Sequence, residues 1–454
     1  MVYTKEQLFN ILPEFIKEKN VDGIRHIFTE YNIVDLSEIF EELDINEAIF
    51  TFRILPKDIS AELFSYLSPT KQQRLIEILS SHDVFNIINN MFSDDIIEFM
   101  EEMPANVIKK ILSSVPDKDR KEINTLLSYE EFTAGYMMSS DFIELRSNIT
   151  VEEAIKIIKH KAELVETINV CYIRDTSRKY LGVVHLRNII VARDDTLLED
   201  LIEESDIYVY SNTDQEEVAK MLQEYDITSI PVLNDQNKLI GIITADDVID
   251  VLVEEATEDI HKMVGVNHIE GSYLNTSIIE MVKSRISWLL ILMISGSFTG
   301  YILQTFEDKL SAVAILAASI PVIMSTSGNA GSQSSSSVIR AIIVENLTLK
   351  KNFFDIIKKE LLVSLQCGAI IFIVNILRLL LLNNSGMNLN TAIVISLAIV
   401  LSLTLANIVG GILPLISESL NIDPASMASP VITTLVDAVS LFVYFTLAIA
   451  ILKI

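Results

Sequence analysis

The run Pro430-Val-Ile-Thr-Thr-Leu-Val-Asp-Ala-Val-Ser-Leu-Phe-Val-Tyr-Phe-Thr-Leu-Ala-Ile-Ala-Ile-Leu452 decides what kind of protein this is. It is long and apolar enough to cross a bilayer, for which about 20 residues suffice. Yet Asp437 lies inside it. A carboxylate at the bilayer centre costs about 3 kcal/mol even on a lenient scale, so it usually faces a polar pathway. The structural alternative is an Asp bonded to the hydroxyl of Thr433 or Thr434.

Working outward, four more stretches qualify as spans, at 286–306, 310–343, 361–382 and 391–416, with the fifth at 431–452. Asp437 is the only carboxylate within them. Basic residues set their direction. Lys283 and Arg285 precede the first span, and Arg340, Lys350, Lys351, Lys358 and Lys359 flank the loop between the second and third. The other side has only Lys309, Arg378 and Lys453. The N-terminus is therefore expected in the cytosol and the C-terminus outside. The opening decapeptide lacks the basic and apolar regions of a signal peptide, which agrees.

The second span contains Pro321-Val-Ile-Met-Ser-Thr-Ser-Gly-Asn-Ala-Gly-Ser-Gln-Ser-Ser-Ser-Ser337. Lipid cannot satisfy freed backbone groups, so an irregular polar stretch at depth must face protein or water. It is expected to be a pore wall with exposed carbonyls; small-residue helix packing is the alternative. Gly296-Ser-Phe-Thr-Gly300 in the first span reads as simple helix packing.

Charge divides the chain near residue 270. Residues 271–454 hold 9 Asp/Glu and 10 Lys/Arg, whereas residues 1–270 hold 53 and 25. This acidity excludes nucleic acid as a partner, since phosphates would be repelled. Cys171 and Cys367 fall in different halves and the six His are scattered, so neither a disulfide framework nor a structural zinc site is expected.

In the acidic half, residues 50–128 repeat a unit about every 12 residues. Leu55-Pro56, Ser68-Pro69, Phe92-Ser93, Met103-Pro104 and Val115-Pro116 each open an amphipathic run, as Ser caps and first-turn Pro do. This predicts a small helical solenoid. Residues 137–255 hold a second, longer repeat: Leu181-Gly-Val-Val-His-Leu-Arg-Asn188 recurs as Ile240-Gly-Ile-Ile-Thr-Ala-Asp-Asp247. Each copy has an earlier helix, starting near Thr150 and Thr213, and a β-like run, at 168–174 and 227–233, so each is an α/β unit. Together they resemble a tandem CBS-domain pair, a regulatory module and not a catalyst.

Residues 201–261 hold 16 Asp/Glu and 2 Lys/Arg. On a helix, 247, 250 and 254 share one face, as do 255, 258 and 259. Such carboxylates repel unless cations sit between them, and Mg²⁺ is commonly held by one or two carboxylates plus waters. A solvated acidic face is the alternative.

In this order the pieces resemble the MgtE magnesium channel/transporter family over essentially the whole chain. The carrying motifs are Asn212-Thr-Asp-Gln-Glu-Glu-Val218, Glu255-Ala-Thr-Glu-Asp-Ile-His-Lys262, Pro321 with Ser327-Gly-Asn-Ala-Gly-Ser-Gln333, and Asp423-Pro-Ala with Pro430-Val-Ile-Thr-Thr-Leu-Val-Asp437. The resemblance implies an α-helical N domain (1–132), an α/β CBS pair (133–200 and 201–254), a connecting plug helix (255–272) and an all-α five-span membrane domain (273–454). It implies a Mg²⁺ importer, not an enzyme, in the cell membrane as a homodimer. Asp437 would be the main pore ligand, working through water on the dimer axis, with Asn329, Gly328 and Ser429 beside it. Asp94 or Asp95, Asp214, Glu216, Asp226, Asp247, Asp250, Glu255, Glu258, Asp259 and Asp423 would bind regulatory Mg²⁺. ATP in the CBS cleft would meet Asp246 and Arg187. Ser327 stands where the family often has Gly, and Ser429 where an Asn can line the pore. Two other classes stay open: a carrier coupled to Na⁺ or H⁺, and an anchored cation sensor.

Overall fold

A computed structural model describes residues 3–203, 207–269, 273–274, 276–306, 314–345, 347–382, 389–427 and 429–452. The chain forms two compact units, Met1–Leu252 and Val253–Ile454.

The first unit opens with short helices: α1 (Lys5–Lys17), α2 (Val21–Glu30), α3 (Ile33–Glu42), α4 (Ile45–Ile54), α5 (Lys57–Ser65), α6 (Pro69–Ile78), α7 (Ser81–Ile88), α8 (Ser93–Glu101), α9 (Ala105–Ser114) and α10 (Asp117–Leu126). The repeat thus begins well before residue 50. Side chains of Thr4, Asn20, Asn32, Asp44, Ser68 and Ser80 accept from the first-turn amides of their helices, which would otherwise lack partners. Pro69 occupies the first turn as expected; Pro56, Pro104 and Pro116 sit one step earlier, as the cap residues themselves.

The CBS pair follows, with α11 (Ala134–Met137). Copy one has β1 (Glu144–Arg146), α12 (Val151–Lys161), β2 (Val170–Arg174), β3 (Tyr180–His185) and α13 (Leu186–Val191); copy two has β4 (Val209–Tyr210), α14 (Gln215–Glu224), β5 (Ser229–Leu233) and β6 (Leu239–Thr244). Each sheet pairs its first two strands parallel and its last two antiparallel. The internal repeat is geometrical too: Gly182 pairs with Ile173 and Gly241 with Val232, and both sheets shift register at the next residue. Gly182 (φ +149°) has no room for a side chain, since a Cβ there would lie 2.5 Å from the Glu203 carbonyl oxygen. Apolar side chains of α1–α10 and copy two form one continuous core, while copy one has its own. The copies meet through Tyr172, whose hydroxyl bonds Ser229 Oγ at 2.7 Å.

From copy two, α15 (Ala245–Met263) runs unbroken through the expected 254/255 boundary. Long helices follow: α16 (Ile278–Thr305), α17 (Ala314–Glu345), α18 (Leu349–Leu382), α19 (Leu389–Ser419) and α20 (Ser429–Leu452). Among the described residues four helices are long and apolar enough to cross a membrane, with mean hydropathy from 1.8 to 2.5; α17 is not among them.

Two expectations are corrected here. The polar stretch after Pro321 is continuous α-helix. The helix pairs its own backbone groups, and several of its polar side chains turn back on it: Ser327 Oγ donates to the Ile323 carbonyl at 2.7 Å, Ser337 Oγ to Gln333 at 2.8 Å, and Asn329 Nδ2 to Ser325 at 2.7 Å. Nor do Gly296 and Gly300 serve packing among the described residues, where a Cβ on either meets nothing within 4 Å. Close packing lies between α17 and α19, where a Cβ on Gly410 would stand 2.2 Å from the Gly331 carbonyl oxygen and Ser334 Oγ donates to the Asn407 carbonyl at 2.9 Å.

Gly410→Ala should therefore force the two helices apart and destabilise the membrane unit by about 1–3 kcal/mol. Gly300→Ala, which meets open space, should not. Thermal unfolding of both variants in detergent checks this; equal melting temperatures would contradict the close approach.

Candidate functional site

Three sets of site residues emerge, the first within Met1–Leu252. Asp94 and Asp95 open α8, where carboxylates favour the helix N-terminus. Asp247 opens α15, held by Thr244 Oγ1 at 2.6 Å. Fold brings these together with Glu166, which follows α12. Lost hydration, then the charges of Glu166, Asp247 and Asp95, pushes the Asp94 carboxyl well above its ordinary value. Glu166 is raised to about 8, chiefly by desolvation and against the hydrogen bonds from Ser139 and Asp94. Asp95 is raised to about 6 by desolvation, then by Glu98, Asp247 and Asp246. Asp141 is raised by desolvation although it accepts from the Ser93 amide at 2.9 Å. Glu98 is raised by partial loss of hydration and by facing Asp250 and Asp247. Carboxylates so crowded are arranged for a counter-charge. No group of three or more His, Cys, Asp or Glu among the described residues is close enough to enclose a metal ion. A cation here would be held partly through water, which suits Mg²⁺.

The second set lies within Val253–Ile454. Lys262 Nζ stands 2.7 Å from Glu258 Oε1 and 2.9 Å from Asp423 Oδ2. Burial acts to lower the Lys262 ammonium, but bonds and attraction from Glu258 and Asp423 outweigh it and raise it. Asp423 also caps its own turn, accepting from the Ala425 amide at 2.8 Å. Glu255 and Asp259 are half-buried on the same helix.

The third set surrounds Asp437, half-buried on α20. Among the described residues it makes no hydrogen bond or ion pair. Gly328 of α17 lies against it: a Cβ there would be in ordinary contact, 3.7 Å from Asp437 Oδ1 and 3.4 Å from Thr433 Cγ2. Thr434 meets Ser295 of α16 at 3.2 Å. One turn from Asp437, Ser440 Oγ donates to buried Ser327 Oγ at 2.8 Å and ties α20 to α17. Asn329 is exposed. Ser429 begins α20, but its side chain lies outside the described residues.

Other expected residues stand apart. Asp214 caps α14, Glu216 pairs with Lys220 at 2.7 Å, and Asp226 (φ +51°) is an exposed turn residue. Arg187 and Asp246 are both exposed.

Comparison with known proteins decides the family. Models for the MgtE intracellular N domain, the CBS domain and a divalent cation transporter match residues 31–132, 134–195 with 198–254, and 320–447. A protein of Thermus thermophilus named magnesium transporter MgtE is 34% identical over 98% of both chains. The chain belongs to the MgtE family. A second MgtE, from Enterococcus faecalis, is 35% identical over 72% of this chain and 71% of its own. Among solved structures, the soluble part of a magnesium transporter is 29% identical, covers 56% of this chain and all of its own, and has a TM-score of 0.54. This MgtE chain is accordingly a multi-pass membrane protein.

Within the MgtE frame, motif reading missed Glu98, Asp141 and Glu166. Glu166 follows a helix with no periodic partner, so only the fold carries it to Asp94. Glu98 had a signal, lying one helical turn beyond Asp94 and Asp95 on α8.

A raised carboxyl binds its proton more tightly in the folded arrangement. Its stabilising effect is full below the ordinary value of 4.5 and lost as pH rises through about 8 for Glu166. Without Mg²⁺, the helical domain should therefore loosen from the CBS pair as pH rises from 6 to 9. Glu166→Gln, or millimolar Mg²⁺, should flatten that dependence. Spin-label distances between α8 and α12 measure it, and a pH-independent distance in metal-free wild type would contradict it.

Proposed function

We propose that this protein imports Mg²⁺ through a pore centred on Asp437 and is closed by Mg²⁺ bound at its cytosolic carboxylates. The observation that supports the pore is a carboxylate inside an apolar helix that has no partner among the described residues and lies against the side-chain-free Gly328. A structural Asp would be bonded to its neighbours; this one is left to hold an ion through water. Mg²⁺ dehydrates reluctantly, so a carboxylate acting on its water shell can bind it without trapping it. A second copy of the chain would bring the matching Asp437 to the axis. Asn329 and Ser429 belong to the same pathway.

Asp437→Asn should abolish Mg²⁺ flux into liposomes while size-exclusion behaviour stays that of wild type. Wild-type flux in that variant removes Asp437 from the pathway. Flux that needs a Na⁺ or H⁺ gradient would replace the channel by a coupled carrier.

Control follows from charge. Imported Mg²⁺ reaches Asp94, Asp95, Asp247 and Asp250, whose mutual repulsion it removes. Asp214, Glu216 and Asp226 supply further carboxylates. Glu255, Glu258, Asp259 and Asp423 supply carboxylates in the second unit, with the N-terminus in the cytosol. A ligand shifts such an equilibrium only by its differential affinity for the two states. About 5 kcal/mol, supplied by several bridging ions, makes the switch nearly complete. ATP is proposed to bind the CBS cleft at exposed Arg187 and Asp246. Neutralising Asp247, Asp250, Glu258 and Asp259 together should leave the channel open at millimolar cytosolic Mg²⁺. Single-channel recording from micromolar to ten millimolar Mg²⁺ reads this; inhibition along the wild-type curve would remove these carboxylates from control.

A further inference from the structure

The last turn of α15 carries His261, and the chain then reverses. Gly265 (φ +73°) makes the reversal possible, because a left-handed backbone is cheap only for glycine. The Val266 amide donates to the His261 carbonyl at 2.9 Å and the Gly265 amide to Lys262 at 3.0 Å, the paired bonds of a Schellman cap. Next, the Asn267 amide donates to the Ser284 carbonyl of α16 at 2.9 Å. The outcome is a second imidazole beside the first: His268 Nδ1 stands 3.3 Å from His261 Nδ1, with ring centres 5.5 Å apart. Both residues are half-buried, so water reaches the pair.

That nitrogen separation is the one a tetrahedral metal imposes. Zinc–imidazole bonds of about 2.0–2.1 Å subtend roughly 3.3–3.4 Å between two ligand nitrogens. Imidazole suits Zn²⁺, Ni²⁺ and Co²⁺, whereas Mg²⁺ prefers oxygen. The positive charge next in sequence, Lys262, is already matched by Glu258 and Asp423, which lessens its repulsion of an incoming cation.

We propose that His261 and His268 form a two-imidazole site for a borderline divalent cation of the Zn²⁺, Ni²⁺ or Co²⁺ class. Water completes its coordination. The bound ion cross-links the end of α15 to the turn that leads into α16, and it is chemically separate from the carboxylate sites.

Zn²⁺ titration by calorimetry of the full chain in detergent tests this, with ten millimolar Mg²⁺ present to fill oxygen sites. His261→Ala and His268→Gln should each weaken Zn²⁺ binding tenfold or more, and the double variant no further, since one site is lost either way. His160→Ala, at an exposed histidine elsewhere, should change nothing. Because His268 lies outside any helix, its substitution should spare the fold, and elution volume checks it. Cu²⁺ bound to the wild type should show spin-echo modulation from two imidazoles. Zn²⁺ affinity untouched by both substitutions, or modulation from fewer than two imidazoles, would leave only a hydrogen-bonded histidine pair and overturn the site.

Discussion

Carboxylates packed against carboxylates govern the acidic unit. Two such charges about 4 Å apart repel by on the order of 1 kcal/mol in water and by several times more when partly dehydrated. Asp94, Glu166 and Asp247 are partly dehydrated and act on one another, and burial with this repulsion raises all three carboxyls above their ordinary values. The helical domain shares its apolar core with the second CBS copy, so the repulsion is built across a surface that burial draws together. Two opposed forces of this kind make an arrangement sensitive to any cation that reaches it. Under the proposed Mg²⁺ control, protons and the ion would compete for the same oxygens, which would link ion binding to pH.

The membrane unit meets the opposite problem, since lipid offers neither charge nor hydrogen bonds. The serine-rich α17 satisfies its backbone as a continuous helix, and Ser327, Ser337 and Asn329 satisfy their side chains on its own carbonyls. Having small side chains, it also lets α19 approach at Gly331 and Gly410. Buried Ser327 has a partner across the helices in Ser440, one turn beyond Asp437. Among the described residues Asp437 makes no hydrogen bond or ion pair. Lys262 plays a related part outside the spans. Its ammonium lies between Glu258 and Asp423, where a divalent ion would otherwise have to offset their charge.

Hydropathy, charge balance and repeats are properties of neighbours along the chain, and they were legible in advance. The division near residue 270, the apolar run ending at Leu452, the duplicated CBS unit and the short capped helices all follow from local pattern. So does the acidic face of α15, because helical spacing alone puts residues 247, 250 and 254 together. What failed was inference from composition to backbone state. Gly, Ser and Pro in the second span read as irregular structure, yet the segment keeps its helical backbone bonds and hydroxyls such as those of Ser327 and Ser337 find acceptors within it.

Sequence by itself therefore determined the domain order, the family, the acidity of the first 270 residues and the single carboxylate in the apolar runs. Tertiary structure decided which distant groups share a field. Glu166 reaches Asp94 only because copy one of the CBS pair folds against α8, and Gly328 faces Asp437 only because α17 packs on α20. His268 meets His261 only because Gly265 reverses the chain. Each of these depends on where elements pack or turn in space, and pairwise distance across a fold leaves no period or spacing in the chain to read.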